Sequence, residues 1–462
     1  MQWSWIVARS RAVLPAVAVA VLAFPGAAGA ALPFPAYGGA PTGAVTPRAV
    51  TGVPTRVSLE QAIAIAAATS PAVDAARAPL HLATATTETA RVGARPTLSG
   101  SGQLVSPTSF QSGSNGATVT LSQLIYDGGV VLSNIRSTRA SEDAAQHTYR
   151  RALQTLTNNV AQAYFGTLAA EAQTALAQVI VNQGLAQERL IKAQIDAGTA
   201  AQIDLQTAHV ATIQAQGKVV TAQSQEIVAL AQFAHALGLP ADADVHPQPA
   251  AASGRATTLP QGTPLGYDAA VAAALTMRPD YLSTIRAVDA GRQKVRSARL
   301  GAFPSVTGSA SHSFTQQQSG MGFPQPSQPA VQWLASVKIP LFDGGLTKAN
   351  TATAQAQLEQ AVAAEKSQEQ TVQLEVRTAL AQLIAAQAVL QKNDESVDLA
   401  RRLLEGRQAQ YRAGKPVLEL YLNAQANYAA AQNAQLSALY ALREAERSYL
   451  YALGTNEVVQ AR

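Results

Sequence analysis

An internal duplication limits what this chain can fold into more than any other feature of its sequence. Tyr126-Asp127-Gly128-Gly129 recurs as Phe342-Asp343-Gly344-Gly345, an offset of 216 residues. Ala197-Gly198 recurs as Ala413-Gly414, and Ala236-Leu237-Gly238 as Ala452-Leu453-Gly454, again at 216. Upstream the offset is 208: Ser70-Pro71 matches Arg278-Pro279, and Ala94 and Pro96 match Ala302 and Pro304. The second copy therefore carries eight extra residues between Pro304 and Phe342. Two tandem units of one architecture follow, repeat 1 over 58–240 and repeat 2 over 266–455.

Each unit has the same order of elements. A helix is expected from Leu59 to Arg91, and its partner from Tyr267 to Leu300. A Gly/Ser-rich segment leads to a very long helix, Gly129 to Ala197 and Gly345 to Ala413. A tight turn then returns the chain as a shorter helix, Thr199 to Leu239 and Pro416 to Leu453. Gly198 and Gly414 suit the left-handed position that closes a helix, and Pro416 suits the first turn of the next. Val372, Val376, Ala379, Leu383, Ala386 and Leu390 recur at spacings of 4 and 3, a coiled-coil seam that Leu153, Leu156, Val160 and Ala163 echo. A helix of such length extends roughly 100 Å at 1.5 Å per residue, which suits filaments and tall channels rather than a compact globule.

Between the helices the apolar period changes to two. Val331, Trp333, Ala335, Val337, Ile339 and Leu341 alternate with Gln332, Ser336 and Lys338, and Ala117, Val119, Leu121 and Ile125 alternate with Thr118, Thr120 and Ser122. That is the pattern of a membrane β-strand with a lipid face and a lumen face. Weaker partners, Thr97–Val105 and Ser305–Phe314, precede each, making hairpins over 97–126 and 305–342. Val331, Trp333, Ala335, Val337 and Ile339 are the expected membrane-facing positions, with Trp333, Tyr126 and Phe342 at the interfaces. Four strands cannot close a barrel, and an open edge in lipid is not viable. Eight strands from a dimer would fill with side chains, whereas twelve from a trimer leave a lumen.

The flanks fit export from the cytoplasm. Arg9 and Arg11, the apolar run Ala12–Phe24 and Ala28-Gly29-Ala30 read as a secretory signal over 1–30. Its removal lowers the formal charge from +5 to +3, which excludes a nucleic-acid surface. The absence of cysteine excludes disulfides, thiolate metal sites and an N-terminal lipid anchor. Segments 31–57 and 241–265 are Pro/Gly/Ala-rich linkers expected to be irregular, and 456–462 is a short tail.

The duplication, the two Asp-Gly-Gly junctions (Asp127, Gly128, Gly129; Asp343, Gly344, Gly345), Ala163-Tyr164-Phe165, the Gly198 and Gly414 turns and the closing Ala-Leu-Gly motifs resemble the TolC-like outer-membrane efflux proteins over residues 58–455. The resemblance implies a mainly α chain with a membrane β-barrel: tandem long-helix hairpins form a periplasmic α-barrel, and four strands per chain join a trimeric twelve-stranded barrel. It implies a homotrimer in the outer-membrane lipid, meeting a periplasmic adaptor and an inner-membrane pump of the RND, ABC or MFS type. The hairpin tips, with Gly198, Gly414 and Pro416, become the periplasmic mouth. Asp204 falls at the family's linking aspartate and Tyr411 at its linking tyrosine. Pro416 replaces the linking arginine, and Leu420 and Asn423 replace the acids that narrow the mouth, with Glu419 one residue out of register.

Other chemistry is missing from the sequence. The six histidines are scattered without ligand spacing, and no nucleophile elbow, phosphate loop or dinucleotide fingerprint occurs. The expectation is no enzyme, cofactor or metal. Small-molecule efflux and a type I protein-secretion duct use the same kind of subunit. A periplasmic coiled-coil protein without a pore explains the rods but not the alternating hairpins.

Overall fold

The computed structural model describes residues 54–105, 114–249, 259, 263, 266–317, 328–413 and 418–455, all within the compact unit Val50–Arg462. The expected signal, most of the two linkers, the tip residues Gly414 and Pro416 and the tail lie outside the described residues.

Each repeat opens with two helices rather than one. α1 (Leu59–Thr69) starts at Ser58, whose hydroxyl accepts from the Gln61 N–H while the Gln61 side chain accepts from the Ser58 N–H, a capping box. α2 (Pro71–Val92) follows, and repeat 2 matches it with α5 (Tyr267–Met277) and α6 (Pro279–Leu300). The continuous helices expected from Leu59 and Tyr267 are thus broken at Ser70 and Arg278. A following proline forces these residues to extended ψ values of 122° and 118°.

β2 (Thr97–Val105), β3 (Ser114–Tyr126), β5 (Ser305–Gln317) and β6 (Gln328–Lys338) make the hairpins. The expected boundaries of β2 are met, but β6 stops at Lys338, so Ile339 lies one residue past the paired strand. All three ladders are antiparallel in the order β2-β3-β5-β6, so the central pairing, β3 with β5, joins the two repeats. A further two-residue ladder pairs β1 (Arg56–Val57) with β4 (His246–Pro247), so the linkers are not irregular throughout.

The long helices are α3 (Val130–Asp196) and α7 (Leu346–Arg412), 67 residues each and roughly 100 Å long. They start in the same way. Asp127 accepts from the Gly129 N–H at 2.8 Å and the Val131 N–H at 2.5 Å, and Asp343 accepts from Gly345 and Thr347 at 2.9 and 2.8 Å. Each carboxylate satisfies two amides that a helix start leaves unpaired and lies at the positive end of the macrodipole. The glycines between have φ from 64° to 94°, the left-handed turn that swings the chain out of the sheet. The Asp-Gly-Gly repeat is therefore a helix cap.

α4 (Gln202–Ala236) and α8 (Leu418–Leu453) run back along α3 and α7. Each ends at the glycine of an Ala-Leu-Gly motif, Gly238 or Gly454. A Cβ on Gly238 would lie 2.8 Å from Ser70 Cα, and one on Gly454 would lie 3.0 Å from Arg278 Cα. Two repeated motifs that are far apart in sequence thus meet, the return-helix end against the proline break.

Val372, Val376, Ala379, Leu383 and Leu390 are buried as the seam predicts, packed with Ala270, Ala274, Leu442, Tyr449 and Leu453; Ala386 is partly buried against them. In repeat 1 only Val160 of the expected seam is fully buried. Burial there shifts to Ala161, Tyr164 and Leu168, because α1 and Phe233 of α4 cover that side of α3. The Tyr164 hydroxyl donates to the Gln248 carbonyl at 2.5 Å, and burial pushes its pKa up to about 12.

Gly238→Ala forces a left-handed alanine into backbone contact and should cost about 2 kcal/mol or more. A lowered urea midpoint for loss of helical circular dichroism in detergent checks this.

Candidate functional site

The four-stranded sheet has two chemically different faces. Residues opposite each other in an antiparallel ladder share a face, so the register assigns every side chain. One face carries Leu98; Ala117, Val119 and Leu121; Val306, Ala310 and Phe314; and Val331, Trp333, Ala335 and Val337. The other carries Thr97, Ser99 and Ser101; Thr118, Thr120 and Ser122; Ser305, Thr307, Ser309, Ser311 and Ser313; and Gln332, Ser336 and Lys338. Leu124, Ala330 and Leu334 on the hydroxyl face and Gln123 and His312 on the apolar face depart from this division, the His312 imidazole standing edge-on to Phe314. Trp333 is 77% exposed and Val331 63%, so these apolar side chains have little cover among the described residues. Among the described residues no helix is long and apolar enough to cross a membrane.

At the far end of the long helices, the tips of the two hairpins meet. The Tyr411 hydroxyl donates to Gln194 Oε1 at 2.7 Å, and the Tyr411 ring stacks on Tyr421 with centroids 5.7 Å apart. Ile191, Ala208, Leu418 and Tyr421 form the small core beneath. Burial, with the nearby Asp204 charge, holds the Tyr411 phenol above its ordinary pKa. Asp204 itself accepts from the Ala201 N–H at 3.2 Å, across the first turn of its own helix. Tyr411 therefore bonds the Gln194 amide, while the Asp204 carboxylate caps its own helix. Glu419 sits exposed in the first turn of α8. Gln194 and Tyr421 were not legible as site residues, because neither the Gln194 amide nor the Tyr421 ring differs in sequence from many others on these helices.

A buried charged joint fixes the repeats to each other higher up. Arg278, 1% exposed, reaches Asp280 Oδ2 at 2.5 Å and Glu375 Oε2 at 2.6 Å. Arg151 of α3 lies 3.7 Å from Asp280 and stacks over Tyr451 of α8 at 3.7 Å. Gln154 donates to the Gly454 carbonyl and Gln368 to Asp280, both at 2.8 Å. Burial works to raise the Asp280 pKa, but the hydrogen bonds from Arg278 and the charges of Arg151 and Arg278 outweigh it and leave the carboxyl below its ordinary value. Ser70 stands where repeat 1 would need the arginine, so this joint has no counterpart there.

A two-faced sheet with open edges, mounted on paired long-helix hairpins, defines the subunit of a membrane channel that continues as a helical tunnel. The sequence profile of the outer membrane efflux protein family matches residues 62–239 and 270–455, and the chain belongs to that family. It is 26% identical over 338 residues to the outer membrane efflux protein BepC of Brucella suis biovar 1 (strain 1330), covering 73% of this chain and 71% of that one. It is also 26% identical over 344 residues to the alkaline protease secretion protein AprF of Pseudomonas aeruginosa, covering 73% and 67%. The fold matches the crystal structure of CusC with a TM-score of 0.72 at 20% identity, over 88% of this chain and 95% of that one. The chain is an outer-membrane channel-tunnel subunit.

Arg278→Met leaves Asp280 and Glu375 without their closest cation and should cost about 3 kcal/mol, read as a lower urea midpoint. Because the folded-state pKa of Asp280 is depressed, its contribution is complete above about pH 4 and is lost as pH falls through that lower value. Acidification below about pH 4 should therefore destabilise wild type more steeply than Asp280→Asn.

Proposed function

We propose that three copies of this chain close one twelve-stranded barrel in the outer membrane and one helical tunnel in the periplasm. The carrying observation is the sheet itself, which exposes an apolar face and, among the described residues, leaves β2 and β6 without outer partners. Such edges in hydrocarbon require pairing with further copies. The duplication supplies the geometry of that pairing. Thr120 pairs with Ser311 within the chain, and their counterparts in the other repeats are Ser336, 216 residues on, and Gln103, 208 residues back. Ser336 of one copy thus faces Gln103 of the next, and both fall on the hydroxyl face. The same operation places α7 against the neighbouring α2 as α3 lies against α6. The interface is heterologous and closes as a ring.

In this reading the hydroxyl face lines the pore, and the hairpin tips form the periplasmic mouth. Substrates enter from a periplasmic adaptor and an inner-membrane pump, which supplies the energy. A chain with this wall conducts passively. The 1–30 signal directs it to the envelope. The Tyr411–Gln194 bond, the Tyr421 stack and the Asp204 charge beside them support a gate at the tips; Glu419, exposed in the first turn of α8, is a further mouth acid. Small-molecule export is the first reading. A protein-secretion duct is the second, since one relative is named for protease secretion.

The cysteine-free background makes the ring directly testable. The double variant Ser336→Cys/Gln103→Cys should give an oxidant-dependent trimer ladder on non-reducing gels, and each single variant none. Intramolecular products alone would refute the register. Tyr411→Phe, which removes one neutral hydrogen bond worth about 1 kcal/mol, should raise single-channel conductance in planar bilayers. Asp204→Ala should raise it less, and conductance equal to wild type in both removes the gate from this site.

A further inference from the structure

An open cleft of about 400 Å³ lies between α3, α4 and α8, lined in part by Asn159, Gln162, Gly166, Gln232 and Glu444. Its position follows from two hydrogen bonds between antiparallel helices. Gln162 donates to Ser448 at 3.4 Å, and Gln173, eleven residues on, donates to Ser437, eleven residues back, at 3.2 Å. In that register Gly166 stands opposite Glu444, and a Cβ on Gly166 would meet only Glu444 Oε1, at 3.9 Å. No close approach of backbones therefore accounts for a helix-weakening glycine in the middle of α3. What its missing side chain provides is room in front of a carboxylate.

Glu444 has no hydrogen bond or ion pair with any described residue, and burial pushes its carboxyl above the ordinary value. Around it stand three amide side chains, each able to accept an N–H. Its counterpart 216 residues earlier is Val228, so the acid occurs once per chain.

The cleft opens toward the bore. α1 packs on the Val160, Ala161, Tyr164 and Leu168 side of α3. At 100° per residue, Asn159, Gln162 and Gly166 fall on the opposite side. α5 likewise packs on the Leu442, Tyr449 and Leu453 side of α8, opposite Glu444. A ring of helices with a bore has room for extra helices only outside it, so the cleft faces inward.

We propose that the Glu444 cleft is a subsite in the tunnel wall for an organic cation bearing a protonated amine, an inference that rests on the tunnel reading above. The carboxylate supplies the counter-charge, and the amides of Asn159, Gln162 and Gln232 accept the remaining N–H donors. A bare metal ion fits poorly. One carboxylate serves a space much larger than an ion, and among the described residues no group of three metal-ligating side chains occurs. The occupant enters with the flow of cargo and dwells at three equivalent positions around the bore.

The test uses purified trimer in planar bilayers at about 0.1 M salt, where screening of a partly buried charge is limited. Added n-hexylammonium chloride should block wild-type current, whereas n-hexanol and sodium hexanoate should not. Glu444→Gln should raise the half-blocking concentration about tenfold, and Gly166→Leu, which fills the space, should do the same. Calorimetric titration of hexylammonium into the detergent-solubilised trimer should show the same loss of binding. Equal half-blocking concentrations in wild type and Glu444→Gln, or no block in either, overturn the subsite and leave the channel standing. Absence of any pore overturns the channel reading, and the subsite with it.

Discussion

A β-sheet edge cannot be left unpaired in hydrocarbon, and most of this molecule follows from that. The chain builds a four-stranded sheet, apolar on one face and hydroxylated on the other, and among the described residues β2 and β6 have no partner on their outer edges. Neither face alone makes the sheet a pore wall. An apolar face with open edges would aggregate in water, and a hydroxyl face would be wasted against lipid. Closure by further copies reconciles the two. Closure is also cheap to encode here, because the β3–β5 ladder already contains the geometry that β6 and a neighbouring β2 must reproduce.

The same constraint reaches the helices through short rigid junctions. Asp127 and Asp343 lock the first amides of α3 and α7, with two left-handed glycines behind each, so the direction of each rod is set by the strand that feeds it. The rods are then held at a second level. There Gly238 seats on Ser70, Gly454 seats on Arg278, and the Arg278–Asp280–Glu375–Arg151 cluster welds one repeat to the other. Removing one partner of such a cluster is costly even where the intact cluster adds little net stability. Its value is in fixing how the rods lie side by side, which a wall needs more than it needs a deep core.

What was legible in the sequence divides along physical lines. The strands, their faces and the long helices were readable because each follows a local period that a single segment displays, such as Val331-Trp333-Ala335-Val337 or Val372-Val376-Leu383. The breaks at Ser70 and Arg278 were also encoded locally, in Pro71 and Pro279, but strong helical periodicity on both sides masked them. The repeat 1 seam was misplaced for a different reason. Its burial depends on α1 and α4 packing across it, which no period within α3 records. Gln194 opposite Tyr411 and Glu444 opposite Gly166 are pairings between distant segments, so only the packed structure brings them forward.

The two repeats diverge where chemistry replaces geometry. Caps, turns and glycine contacts recur in both copies, since every rod in the ring must start, bend and end alike. Away from the caps, several charged and aromatic positions do not recur: Asp204 is matched by Leu420, Tyr411 by Ile195, Glu444 by Val228 and Arg278 by Ser70. Electrostatics supply a reason. A carboxylate in both repeats would put six like charges around a narrow, partly desolvated bore, where repulsion rises steeply with proximity and falling dielectric. One acid per chain gives three, spaced by neutral positions, each still able to attract a cation. Duplication thus provides a wall of six near-equivalent staves, and loss of symmetry at a few side chains turns alternate staves into working surfaces without disturbing how the wall is built.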